Sequence, residues 1–207
     1  GRQGNGRLKG LVAGGIVVVG AAVAAWCLWP PQKRGEDAAS TKRGLIKEVK
    51  PAVVTAGVTV DPSPERHFIA GTSSGGVAAW NAVWYRNDYF RRVFLSSPTF
   101  SAIAGGEEPM VIVRKCEPRP IRVFMTAGTC EPNYYFGDSY FAAVNAADAL
   151  QFAGYDCRFE VFPHEGHGAR REEPELWKRM MPYLRNQFQK AKPQKKASVS
   201  QKAWARA

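Results

Sequence analysis

Short apolar runs alternate with amphipathic stretches through the middle of the chain. Four runs have the composition of strands: residues 67–70, 93–95, 120–125 and 155–162. Four stretches repeat apolar residues every three or four positions, as helices do: residues 45–53, 75–85, 138–153 and 173–188. Because strands and helices alternate, the pattern predicts an α/β fold with a parallel sheet and right-handed crossovers.

The last predicted strand and the last predicted helix carry more detailed signals. Residues 155–162 alternate between apolar and charged side chains, which is typical of an edge strand with one solvated face. Residues 173–188 contain Pro182, which predicts a kink in that helix. In a parallel sheet of this kind, functional groups belong at the carboxyl ends of the strands.

A glycine-rich turn, Gly71-Thr72-Ser73-Ser74-Gly75-Gly76, separates a predicted strand from a predicted helix. This is the setting of a nucleophile elbow, in which a sharp turn holds a serine hydroxyl out of the sheet. A histidine can then take the hydroxyl proton, and the helix N-terminus stabilises the developing negative charge. Ser73 is therefore the candidate nucleophile, and the backbone N–H of Ser74 is a candidate oxyanion donor.

Candidates for the base and the acid follow the serine in the chain. His164 and His167 both lie in the loop after the last predicted strand, and we favour His167 because glycines flank it and let the loop bend. Glu131, just past the third predicted strand, is the favoured acid. Asp138 is its rival, although its place before a helical run predicts an N-cap. His67 lies inside a strand and is predicted to be a packed residue.

The formal net charge of +11 is concentrated at the two ends of the chain. Residues 1–37 carry five Lys or Arg and two acidic residues, and residues 189–207 carry six Lys or Arg and no acidic residue, so residues 38–188 carry only +2. Lysine-rich tails of this kind are predicted to be solvated and disordered. Without aromatic residues interleaved among the basic ones, the pattern argues against nucleic acid as a partner.

Residues 11–29 form an uncharged apolar run with basic residues before and after it. The run is long enough to cross a bilayer as a helix, which predicts a signal peptide or a membrane anchor and an exported domain. Ala22-Val23-Ala24 is a candidate cleavage site. The alternative is a buried strand or helix of a soluble, cytoplasmic protein, since a run rich in Gly and Ala is only mildly hydrophobic.

The cysteines do not predict a metal site. Cys27, Cys116, Cys130 and Cys157 form no C-x-x-C pair and lack the histidine spacing of zinc sites. In an exported domain the last three could include one disulfide, and otherwise they are expected to be buried thiols. The sequence calls for no cofactor.

Several segments together resemble the enterochelin-esterase and feruloyl-esterase-like branch of the α/β-hydrolases, a group that includes esterase D. The resemblance rests on residues 66–76, Phe90-Arg91-Arg92-Val93, Pro120-Ile121-Arg122-Val123-Phe124, Phe152-Ala153-Gly154-Tyr155 and Gly166-His167. It implies a three-layer α/β-hydrolase-type parallel sheet, with Ser73 as nucleophile, His167 as base and Glu131 where the family usually has aspartate. It also implies a small-molecule or carbohydrate-linked ester as substrate, and no cofactor.

The resemblance covers roughly residues 45–184 and lacks the family's earlier strands, one of which is followed by a loop that supplies a second oxyanion donor. We therefore expect a leader with an apolar helix in residues 1–37, a partial hydrolase domain in residues 41–188 holding the C-terminal part of the sheet, and a basic tail in residues 189–207. The expected function is that of a serine esterase. The alternative is a catalytically inactive, membrane-tethered binding or scaffold module.

Overall fold

The computed structural model describes residues 47–48, 50–57, 59–103 and 105–185. The predicted apolar helix within residues 11–29, Cys27 and the basic tail lie outside these residues. Within the described ranges, no helix combines the length and the apolarity that crossing a bilayer requires.

Strands and helices alternate along the described chain. The strands are β1 Phe68–Thr72, β2 Arg92–Ser96, β3 Arg122–Gly128, β4 Asn133–Tyr134, β5 Gly137–Asp138 and β6 Asp156–Phe162. The α-helices are α1 Lys50–Thr55, α2 Ser74–Tyr85, α3 Glu108–Lys115, α4 Ser139–Phe152 and α5 Pro174–Arg185. A 3-10 turn, Pro64–Arg66, precedes β1.

Four strands form one parallel sheet in the order β1-β2-β3-β6. Thr72, Ser96, Thr126 and Glu160 are register partners near the carboxyl ends of these strands, so the loops that follow them leave from one rim. The short strands β4 and β5 make a separate antiparallel hairpin after β3. This arrangement confirms the predicted α/β class with a parallel sheet.

Helices cover both faces of the sheet and give it three layers. On one face, α2 packs against β1 and β2, α4 packs against β3 and β6, and α3 packs on α4. The core on this face contains Ile69, Val93 and Val123 together with the fully buried Trp80. On the other face, α5 packs its Leu176, Met180 and Leu184 against Phe68, Phe94 and Phe124 of the strands. Alternate residues of each strand thus enter two separate hydrophobic clusters.

The predicted strands and helices from residue 67 onward are all present, with boundaries shifted by at most three residues where the structure describes them. Helix α1 begins at Lys50, within the stretch predicted to be helical, and α5 continues through Pro182. Helix α3 was not predicted. It has only eight residues and carries Pro109 in its first turn, so it shows little periodicity.

The strand β6 lies at the sheet edge as predicted, and its charged face is partly solvated: the Arg158 side chain is 46% exposed, and those of Asp156 and Glu160 are 26% and 15% exposed. Asp156 accepts hydrogen bonds from the Tyr183 hydroxyl at 2.6 Å and from Arg122, and Glu160 accepts one from Arg179 at 2.8 Å. Side chains of helix α5 thus cover Asp156 and Glu160 in part. Alternation in the sequence revealed the two faces of the strand but not the hydrogen bonds and ion pairs that cover one of them in part.

Two buried arginines at the amino ends of neighbouring strands fix the last helix against the sheet. Arg92 and Arg122 are 6% and 3% exposed and are register partners. Arg92 donates to the Leu184 carbonyl, and Arg122 donates to the Tyr183 carbonyl at 2.8 Å. The last carbonyls of a helix lack intrahelical hydrogen-bond partners. Arginine side chains there donate to these carbonyls, and their positive charge interacts favourably with the helix dipole. The contacts hold α5 at the end of the sheet opposite the loops described next.

Candidate active site

The loops after β1, β2, β3 and β6 meet at the carboxyl rim of the sheet. Four non-glycine residues of the described chain have positive φ angles, and all lie in these loops: Ser73, Ser97, His164 and Arg170. Such conformations cost on the order of 1–3 kcal/mol each and persist where the surroundings determine them. The rim is therefore where the fold concentrates backbone strain, as functional sites often do.

Ser73 occupies a sharp turn between β1 and α2, with φ 59° and ψ −129°. Its N–H donates to the Ser96 carbonyl at 3.1 Å, which continues the sheet by one residue. The turn closes only because its neighbours are glycines: a Cβ added to Gly71 would lie 1.9 Å from the Gly75 carbonyl oxygen, and one added to Gly76 would lie 2.9 Å from the Pro98 Cβ. The predicted elbow geometry is present.

Glu131 and His167 are paired at the same rim. His167 Nδ1 lies 2.5 Å from Glu131 Oε2, and the Glu131 side chain is completely shielded from solvent, whereas that of His167 is 31% exposed. The other carboxylate oxygen, Oε1, accepts from the Ser97 hydroxyl and from the Gly128 N–H at 3.2 Å. The carboxylate therefore fixes the orientation of an imidazole that keeps one side open to solvent.

The hydrogen bonds also set the charge state of Glu131. Burial raises the pKa of this carboxyl group, but hydrogen bonds from His167, Ser97 and the Gly128 N–H outweigh burial and hold the pKa below its usual range. Glu131 is thus ionised at neutral pH, which favours the imidazole tautomer with its proton on Nδ1.

Ser97 is a member of the site that the sequence did not reveal. Its hydroxyl donates to Glu131 and accepts from the Gly168 N–H at 2.8 Å, so it joins the acid to the residue after His167. These partners lie 34 and 71 positions away in the sequence. Only its place directly after β2, followed by Pro98, could have suggested a special turn.

The loop after β6 that carries His167, here called the histidine loop, contacts the serine turn at Gly168. A Cβ added to Gly168 would lie 3.5 Å from the methyl carbon of Thr72, the residue before Ser73. The Ser73 hydroxyl itself lies 3.2 Å from the Thr99 hydroxyl, and none of the hydrogen bonds in the described part of the chain joins it to His167. The structure thus brings both side chains to one rim and leaves the serine hydroxyl directed at Thr99.

The other candidates have different surroundings. His164 is exposed, and its N–H donates to the Thr129 hydroxyl at 2.8 Å. Asp138 is the N-cap of α4 and accepts from the Phe141 N–H at 2.9 Å, as predicted. His67 is buried, with ring nitrogens 2.8 Å from the Tyr89 carbonyl and 2.6 Å from that of Asp61, so it is a packed residue as predicted. Glu131 therefore pairs with His167, and not with His164 or His67.

Ser74 is the first residue of α2, so its N–H belongs to the helical turn whose N–H groups have no intrahelical partner. An anionic oxygen bound to Ser73 would lie beside this positive end of the helix.

No cluster of three or more His, Cys, Asp or Glu side chains that could hold a metal ion occurs in the described ranges. Cys116, Cys130 and Cys157 are free cysteines there, and the first two are exposed rather than buried.

An aromatic hairpin, residues 133–138, follows Glu131. Tyr134 and Tyr135 are 46% and 97% exposed, and Phe136 stacks on Tyr134 with ring centroids 4.7 Å apart. The Ala102 N–H donates to the Phe136 carbonyl at 3.0 Å, which attaches the hairpin to the loop that carries Thr99. Trp80, by contrast, is fully buried core.

Several solved structures share this fold. A ferulic acid esterase is 21% identical, with a TM-score of 0.55 over 70% of this chain and 60% of that one. S-formylglutathione hydrolase from Staphylococcus aureus is 14% identical, with a TM-score of 0.53 over 73% and 64%. Fluorophosphonate-binding serine hydrolase F from the same species is 15% identical, with a TM-score of 0.52 over 69% and 63%.

These likenesses show that the chain has the α/β-hydrolase fold. Its aligned part covers less than two thirds of the length of each of the three structures. No protein-family model and no curated protein matches the sequence.

Changing Gly128 to Ala should strongly destabilise the site. The new Cβ would lie 2.0 Å from the Glu165 carbonyl oxygen, a backbone atom of the loop that carries His167. We expect a loss of about 3 kcal/mol or more in the free energy of unfolding, measured by chemical denaturation. Gly166→Ala is the matched control, because its nearest atom would be 3.8 Å away, and it should cost less than about 1 kcal/mol. Equal costs would contradict this account of the loop.

Glu131→Gln should remove a pH-dependent contribution to stability. Because folding lowers the pKa of Glu131, its carboxylate stabilises the wild type above the ordinary glutamate pKa of 4.5, and this stabilisation is lost as the pH falls through the lower folded-state pKa. The difference in unfolding free energy between wild type and variant should therefore narrow from about pH 6 to about pH 3. A difference that stays constant over this range would show that the carboxylate is not held ionised.

Ser73→Gly should be more stable than Ser73→Ala by about 1 kcal/mol, although both lack the hydroxyl. Glycine relieves the strain at φ 59°, and this gain exceeds the entropy that glycine adds to the unfolded chain. Denaturation midpoints of the two variants measure the difference. If alanine were the more stable variant, the turn would not be strained.

Proposed function

We propose that this chain is a serine esterase that hydrolyses a carboxylic ester through an acyl-enzyme. The observation that carries the proposal is the buried, ionised Glu131 hydrogen-bonded to His167, at the same rim as a serine in a strained strand-to-helix turn. An acid that orients an imidazole beside an activated serine is the arrangement this chemistry needs. The names of the similar structures, an esterase and two hydrolases, support the same reaction class.

In the proposed reaction, Ser73 Oγ attacks the ester carbonyl and its proton passes to His167 Nε2. The carbonyl π electrons move to oxygen, and the Ser74 N–H donates to the resulting oxyanion. When the carbonyl re-forms, the alkoxide leaves and takes the proton from His167. Water then repeats the sequence on the acyl-enzyme, and Glu131 stabilises the imidazolium at both steps.

The Ser73 hydroxyl must turn from Thr99 towards His167 before it reacts. Rotation about the Cα–Cβ bond of Ser73 breaks the hydrogen bond with Thr99, a neutral bond worth about 1 kcal/mol, and the proposed bond to His167 replaces it. Such loosened contacts are common in free enzymes and tighten when substrate binds.

We also propose that the chain belongs to the enterochelin-esterase and feruloyl-esterase-like branch. Its proposed substrate is a small-molecule or carbohydrate-linked ester. The exposed aromatic hairpin next to Glu131 supports a ring-bearing substrate, because Tyr134 and Tyr135 offer stacking faces at the rim. We further propose export or membrane anchoring through residues 11–29.

The alternative proposal is a catalytically inactive, membrane-tethered module that binds a partner. The position of β1 favours this alternative. The strand carries the serine turn and lies at the edge of the described sheet. Turnover of an ester by the chain would exclude it.

Reaction with a fluorophosphonate probe tests the esterase proposal. The full chain should be labelled on Ser73 Oγ, with the adduct located by peptide mass spectrometry. Ser73→Ala should abolish labelling and His167→Ala should slow it on the order of 10³-fold or more, whereas the control Ser63→Ala should react like wild type. Labelling that persists in Ser73→Ala would contradict the proposal.

A further inference from the structure

Thr99 has two contacts with Ser73 that the proposed reaction does not yet use. Its hydroxyl lies 3.2 Å from Ser73 Oγ, and its N–H donates to the Ser73 carbonyl at 3.1 Å. The side chain is half-buried, so a molecule bound at Ser73 would meet it. Thr99 is therefore in a position to touch the reacting atoms.

The loop that carries Thr99 is held on both sides. Ser97 has φ 45° and is bound to Glu131 and to the Gly168 N–H. Pro98 packs against α2 so closely that a Cβ on Gly76 would lie 2.9 Å from its own Cβ. The Thr99 hydroxyl is thus set in place before any substrate arrives, as a useful electrostatic donor must be.

Thr99 and the histidine loop approach Ser73 from opposite faces of the sheet. Thr72 shares a strand face with Phe68, which packs under α5, and Gly168 lies against the Thr72 methyl group on that side. Thr99 follows Pro98, which lies on the α2 side. The proton of Ser73 leaves towards one face, and Thr99 stands at the other, beside the first turn of α2.

We propose that the Thr99 hydroxyl is the second hydrogen-bond donor to the oxyanion, together with the Ser74 N–H; the role rests on the proposed esterase function. As Ser73 Oγ bonds to the carbonyl carbon, the π electrons of the carbonyl move to its oxygen. The Thr99 O–H, released when Ser73 turns to His167, donates to that oxygen, which is attached to the same carbon as Ser73 Oγ. When the oxyanion collapses, the leaving alkoxide takes its proton from His167, and Thr99 keeps its own.

The assignment adds a side-chain donor to the backbone donor at Ser74. Loss of a single such donor costs on the order of 10²- to 10³-fold in rate. A side-chain hydroxyl from the loop after β2 supplies this donor from within the described part of the chain.

The test compares Thr99→Val and Thr99→Ser with wild type, and uses Thr55→Val as a matched control, since Thr55 is an exposed helix residue outside the site. Three quantities are measured: ester hydrolysis, the rate of fluorophosphonate labelling, and the affinity of a trifluoromethyl ketone, whose adduct with serine carries an oxyanion. Thr99→Val should lower kcat and the labelling rate on the order of 10²-fold, leave KM nearly unchanged and weaken the ketone by a similar factor. Thr99→Ser should stay within a few-fold of wild type.

Each other outcome overturns the proposal in a distinguishable way. If wild type is not labelled on Ser73, the esterase proposal fails and the Thr99 role fails with it. If wild type is labelled and Thr99→Val reacts at the same rate, only the Thr99 role fails. If Thr99→Val raises KM while kcat and ketone affinity stay unchanged, or if Thr99→Ser is as slow as Thr99→Val, Thr99 is a structural contact.

Discussion

The buried carboxylate of Glu131 is the interaction on which the arrangement of the rim depends. An ionised group without solvent contact is tolerated only when hydrogen-bond donors replace its water. Here the donors come from three different places: Ser97 after β2, the Gly128 N–H at the end of β3, and His167 after β6. To satisfy one charge, the fold must bring three loops to one point. The same charge then orients the imidazole, so stability and the proposed chemistry share a cause.

The register of the parallel strands makes this convergence possible. Because Thr72, Ser96 and Thr126 are aligned, the loops that follow start at the same height, and short turns suffice to bring their side chains together. At the other end of the sheet, Arg92 and Arg122 hold the final helix through its last carbonyls. The amino ends thus carry contacts that fix the layers, and the carboxyl ends carry the strained turns, a division typical of sheets whose sites lie at one rim.

The sequence predicted those features that depend on residues adjacent to one another in the chain. The turn at Ser73 was visible because glycines must surround it, and Glu131 and His167 were visible from their places after strands. Ser97 and Thr99 were not, because their roles arise from contacts with residues 26 to 71 positions away, and an ordinary serine or threonine gives no local signal. The partial covering of the charged face of β6 was not predicted for a similar reason, since a charged pattern does not reveal its ion-pair partners.

The hydrogen bonds at the rim also differ in strength, which distinguishes the side chains that are held in place from the one that must move in the proposed reaction. The bond between Glu131 and His167 is charge-assisted and partly buried, which makes it stronger than a neutral hydrogen bond. The contact of Ser73 with Thr99 is longer, 3.2 Å, and joins two neutral hydroxyls. A change of the serine rotamer therefore costs little, whereas moving the imidazole would disrupt a buried charge network. In this site Glu131 and His167 form the rigid part, and the Ser73 side chain is the part that adjusts in the proposed reaction.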